Sequence, residues 1–183
     1  MYKDNQLILI GSTGRNSGKT TLAEALIRAA CETEKPIGLK VTTIQDRHAL
    51  CPRGGEGCGA CGSLEGDFYL EREDGSNPSK DTARLLAAGC AEVYWLRVRK
   101  DCLLEGYLRF KAQLKGDPLI ICESNSLRHA VIPRSFIMIQ NTTINRAKQT
   151  ALDVMEYADV VYEGEFRLNS ELPIDLMKGE DHE

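Results

Sequence analysis

The chain has 183 residues, 42% of them hydrophobic and 27% charged, with a formal net charge of -4. That size suits one substantial core, and the near-balanced charge leaves no basic excess for gripping nucleic acid non-specifically. No apolar run approaches the roughly 20 residues that a membrane-spanning helix needs, and Met1-Tyr2-Lys3-Asp4-Asn5-Gln6 lacks the basic-then-apolar layout of a signal peptide, so the expected setting is the cytoplasm, with neither membrane nor nucleic acid as partner.

In chain order, Leu7-Ile8-Leu9-Ile10 is a short apolar run ending in Gly11, which reads as a parallel strand buried on both faces. After a glycine-rich turn, residues 20–31 place Leu22, Ala25, Leu26 and Ala29 at helical spacing. Residues 36–41 read as a second strand, and 42–67 are too polar and too rich in glycine for a regular element. Phe68-Tyr69-Leu70 reads as a short strand, and Asn77-Pro78-Ser79 starts a helix that carries Thr82, Leu85, Leu86 and Ala88 and stops at Gly89. Val93-Tyr94-Trp95-Leu96-Arg97-Val98 is a strong strand, followed by helical periodicity over 102–114. Pro118-Leu119-Ile120-Ile121-Cys122 and Phe136-Ile137-Met138-Ile139 are further strands, 146–157 reads as a helix, and Val160-Val161-Tyr162 as a last strand. Alternation of this kind predicts an α/β fold of three layers, a mainly parallel sheet with helices on both faces and ligands at its carboxyl edge. The expected organisation is one domain over 1–168, a Cys/Gly-rich insertion at about 46–66, and a polar tail over 169–183.

The turn between the first strand and helix is Gly14-Arg15-Asn16-Ser17-Gly18-Lys19-Thr20-Thr21. A helix start leaves its first N–H groups unpaired, and the helix dipole adds to their attraction for an anion. Glycines let the backbone close on phosphate oxygens, Lys19 would reach the β- and γ-phosphates, Thr20 would ligate magnesium, and Thr21 would flank the α-phosphate. The expected cofactor is therefore GTP or ATP with magnesium. The spacing is irregular, because the position that G-x-x-x-x-G-K-[ST] reserves for its first glycine is Thr13, between Gly11 and Gly14. Gly14 is the expected supplier of the turn. A phosphate loop also needs an acid at a neighbouring strand end; Glu123, after Leu119-Ile120-Ile121-Cys122, is the first candidate and Asp46 a second.

These residues resemble the P-loop domain of the molybdopterin-guanine dinucleotide biosynthesis protein B family. The likeness rests on Asn16-Ser17-Gly18-Lys19-Thr20-Thr21-Leu22, Ile37-Gly38-Leu39-Lys40, Ser79-Lys80-Asp81-Thr82-Ala83-Arg84 leading to Ala87-Ala88-Gly89, and Ile121-Cys122-Glu123 before Pro133. It implies a P-loop NTPase-like fold, magnesium-dependent GTP binding with slow GTP hydrolysis, and a part in molybdenum-cofactor biosynthesis. It also implies molybdopterin or a molybdenum-cofactor protein as partner, and a homodimer. The chain departs from the family where Val41-Thr42-Thr43 follows Lys40 in place of histidine, and where Ser124-Asn125 follows Glu123 in place of glycine, as a paralogue with another client would. Other activities compatible with the loop are a small-molecule kinase, with Arg128 and Arg134 available for a lid, and a nucleotide-controlled metallochaperone or switch.

The cysteines divide into two groups. Cys31, Cys90, Cys102 and Cys122 lie in apolar or helical stretches and are expected to pack. His48, Cys51, Cys58 and Cys61 instead supply four soft or borderline ligands within one glycine-rich stretch, a set suited to zinc or, with an outside ligand, an iron–sulfur cluster. Cys122 is a candidate neighbour of that edge.

Overall fold

The computed structural model describes residues 1–14, 16–44, 64, 66–142, 147, 149–167, 170 and 172–173. Its strands are β1 (Tyr2–Ser12), β2 (Ile37–Ile44), β3 (Phe68–Arg72), β4 (Glu92–Arg99), β5 (Ile120–Glu123), β6 (Val131–Gln140) and β7 (Val160–Glu163). Its helices are α1 (Lys19–Ala30), α2 (Asp81–Ala88), α3 (Leu103–Lys111) and the single turn α4 (Gln149–Leu152). The strands form one sheet in the order β3-β4-β2-β5-β1-β6-β7. Every pairing is parallel except β3 with β4.

The sheet is the middle of three layers. Leu7, Leu9, Leu39, Val41, Ile120 and Cys122 point to one side, where they meet Leu103, Tyr107 and Phe110 of α3 and Ala151 of α4. Ile8, Ile10, Ile121, Ile137 and Ile139 point to the other, against Leu22, Leu26 and Ile27 of α1 and Leu85 of α2. Strands covered on both faces cannot alternate apolar with polar, which is why β1 and β5 read as unbroken apolar runs. Each fully buried Leu or Ile contributes on the order of 1.5–3 kcal/mol, so the central strands β5, β1 and β6 dominate the core.

Several boundaries differ from expectation. β1 begins at Tyr2 and β6 at Val131, longer than their apolar centres, because Tyr2, Lys3 and Asp4 pair with Val131, Ile132 and Pro133 before a register shift between Asp4 and Ile8. β2 runs on through Thr42 and Thr43 to Ile44, held by β4 on one side. Among the described residues, the helix expected over 146–157 takes the form of α4 plus a 3-10 turn, Met155–Tyr157. β-Branched Thr150 and Val154 weaken a longer helix there. No described helix is long and apolar enough to cross a membrane. The Cys/Gly-rich stretch, including Asp46, His48, Cys51, Cys58 and Cys61, lies outside the described residues, as do Arg15 and most of the tail.

Candidate functional site

The loop from β1 into α1 sits at the carboxyl edge of the sheet. Its first glycine is needed for close packing, since a Cβ at Gly11 would stand 2.8 Å from Asn125 Oδ1 and 3.1 Å from the Phe136 ring. Thr13 takes the place of the usual glycine by turning towards β6: its N–H donates to Ile139 O at 3.0 Å and its hydroxyl accepts the Asn141 N–H at 2.9 Å. Among the described residues of the loop, left-handed backbone occurs at Asn16 (φ 53°) and Gly18 (φ 86°). Gly14 offers its carbonyl to Ser12 Oγ at 2.8 Å and Ser17 Oγ at 3.2 Å. Gly18 is the residue that precedes α1, and no side chain caps the helix there. A side chain at Gly18 is doubly excluded, by the positive φ and by the Phe166 carbonyl, which a Cβ would strike. The Phe166 N–H donates to Ser17 O at 3.1 Å.

Lys19 folds back along the loop and donates to Ser12 Oγ at 2.6 Å. Burial lowers its pKa; Glu123 acts in the opposite direction. Glu123 ends β5 and is only 4% exposed. Its register partners are Ile10 on β1 and Lys40 on β2. Burial pushes its carboxyl up, while Lys40, Lys19 and a hydrogen bond from Thr20 pull the other way. Its Oε1 has no hydrogen-bond partner among the described residues. Lys19, Thr20 and Glu123, named separately on the sequence, are therefore one cluster. Thr21 lies in the first turn of α1, half-buried.

Further groups build the site around this cluster. The Asn125 side chain accepts the Ser12 N–H at 2.8 Å and donates to Ser12 O at 2.9 Å, acting as an extra peptide between β1 and the chain leaving β5. The Ser124 N–H adds a bond to Ile10 O at 3.0 Å. These two residues lock the acid strand to the loop strand. Lys40 forms an ion pair with Asp81, the first residue of α2. Arg84 on the same helix reaches Glu24 of α1 at 2.8 and 3.2 Å, so the two helices flanking the site are tied together. Lys80 points elsewhere, 3.7 Å from Glu71.

Other candidates fall away from this edge. Cys122 is fully buried among the α3-side residues, on the face opposite Glu123, because adjacent strand residues point to opposite faces. Cys90 is buried too, whereas Cys31, expected to pack, is exposed just past the end of α1, with its thiol 3.4 Å from Gly89 O. Arg128 lies over the Tyr157 ring at 4.6 Å. A cavity of about 490 Å³ is lined by residues including Thr43, Lys100, Leu103, His129 and Asp153, and neither Lys19 nor Glu123 lines it. Among the described residues, no three His, Cys, Asp or Glu side chains gather as a metal site.

Chemically, the cluster offers an anion a lysine and the uncapped start of α1, and a hard cation two oxygen donors, the Thr20 hydroxyl and the Glu123 carboxylate. No protein-family model matches the chain, and no curated protein or solved structure matches it either.

Proposed function

We propose that the chain is a P-loop protein that binds the magnesium complex of a nucleoside triphosphate between β1, α1 and β5. The observation that carries this reading is the single cluster of Lys19, Thr20 and Glu123, with Glu123 buried and its Oε1 unpartnered at the foot of a glycine-rich helix start. A buried carboxylate oxygen without a partner is unfavourable, and a hard cation is a ligand that relieves it. Thr20 and Glu123 fit magnesium as oxygen donors; when bound, the ion would neutralise phosphate charge. The loop N–H groups and Lys19 hold the β- and γ-phosphates, and Asn125 keeps the acid strand at a fixed height beside them.

The resemblance carries the proposal further, to GTP as the nucleotide, slow GTP hydrolysis, and assistance in making molybdopterin guanine dinucleotide. Calorimetric titration with GTP and ATP, with and without magnesium, tests the site. Lys19→Met should weaken triphosphate binding at least tenfold, since a hydrogen bond to a charged group is worth about 1.5–3 kcal/mol. Equal affinity of Lys19→Met and the unaltered protein would remove the phosphate-site reading. Turnover with and without molybdopterin then separates a GTPase from an acceptor-dependent kinase.

A further inference from the structure

One row of residues crosses the sheet in register from its edge to the loop strand: Glu71, Trp95, Lys40, Glu123 and Ile10. Residues in register share a face, and Ile10 places this row on the α1 side. Glu123 is thus bracketed by two ammonium groups, Lys19 arriving from the loop and Lys40 standing on the neighbouring strand. The charges of Lys40 and Asp81 both reach Lys19, which puts all four groups in one electrostatic neighbourhood.

The position of β2 gives Lys40 its meaning. β5 separates β2 from β1, so Lys40 approaches from the side of Glu123 away from the loop. In a site of this kind the loop amides hold the inner phosphates, and the cation and its acid stand at the β- and γ-oxygens. A positive group beyond the acid therefore meets the outermost phosphate. An ammonium group has three donors; Asp81 takes one and fixes where the other two can point. Lys40 is also sheltered, with its side chain 24% exposed.

From this juxtaposition, and resting on the reading of the site as a magnesium–triphosphate site, we infer that Lys40 is a second phosphate-binding cation that selects a triphosphate over a diphosphate, with Asp81 as its positioning residue. A surface ion pair that only anchors α2 would touch stability and leave nucleotide preference alone. The two roles have different readouts.

The experiment is calorimetric titration of the full chain with GTP and GDP at fixed magnesium, for the unaltered protein, Lys40→Met, Lys40→Gln and Asp81→Asn. The unaltered protein should prefer GTP. Lys40→Met should lower the GTP-to-GDP affinity ratio about tenfold, the size expected for one hydrogen bond between charged groups. Asp81→Asn should lower the ratio by a smaller factor, because the ammonium group remains but is less well aimed. If Lys40→Met does not fold, as judged by thermal melting, the ratio is read in Lys40→Gln. A ratio within twofold of the original, or equal loss of both nucleotides, overturns the role of Lys40 while the phosphate site stands. An unaltered protein that binds neither nucleotide overturns both readings.

Discussion

At Glu123 the physics of one side chain sets the behaviour of the site. Burial raises its pKa above the ordinary 4.5, with Lys40 and Lys19 opposing the rise. In the empty protein, a carboxyl raised in this way contributes stability that is complete below its unfolded value and fades as pH rises through the raised one. A magnesium ligand must be ionised, so the sign for binding is the reverse. Magnesium-supported triphosphate affinity is predicted to fall on acidification at a pH above 4.5, and Glu123→Gln should abolish this step while lowering affinity at neutral pH. Calorimetry across pH 5 to 8, a range of roughly the usual working conditions, measures it. Glu123 was legible in the sequence because an acid directly after a buried strand stands out. Lys40 stood out only as part of the Ile37-Gly38-Leu39-Lys40 likeness, with no role attached; its register with Glu123 gives it a place. The role of Asn125 was hidden because its partner Ser12 is distant along the chain.

Elements were legible in proportion to how apolar they are. The centres of β1, β5 and β6 and the buried stripe of α1 stand out, whereas the early part of β1 carries Lys3, Asp4, Asn5 and Gln6 and looks like a loop. Its function as an element is to receive α3. Asp4 is 4% exposed, accepts the Tyr107 hydroxyl at 2.9 Å and pairs with Lys111 at 3.0 Å, so one carboxylate pins two turns of α3 to the sheet. Asp4→Ala would leave the Lys111 ammonium, itself mostly covered, without its counter-charge. The expected loss is about 3 kcal/mol, measured as a lower urea midpoint with an unchanged slope. In the stretch expected to be a helix over 146–157, the periodicity is weak, and among the described residues it is helical only in α4 and the turn Met155–Tyr157.

For the whole molecule, the α/β class and the mainly parallel sheet follow from alternation, but the order of strands does not. β5 lies between β1 and β2 through pairings such as Ile8 with Ile121 and Gly38 with Ile121, which no local pattern encodes. The same distance separates the loop from Phe166, which is 3% exposed, stacks edge-on with Tyr162 at 5.3 Å and bonds Ser17 through its backbone. Phe166→Ala is predicted to cost about 3 kcal/mol as a core truncation and to weaken nucleotide binding together with stability, seen by parallel melting and titration.

The contact between Phe166 and the loop also has a consequence in time. Synthesis delivers Ser17 and Gly18 well before Phe166. A nascent chain that has emerged only through β6 holds every residue of the loop, yet lacks the carbonyl against which Gly18 is closed and the N–H that Ser17 receives. The contact that closes on Gly18 therefore forms only after the sheet behind it is complete.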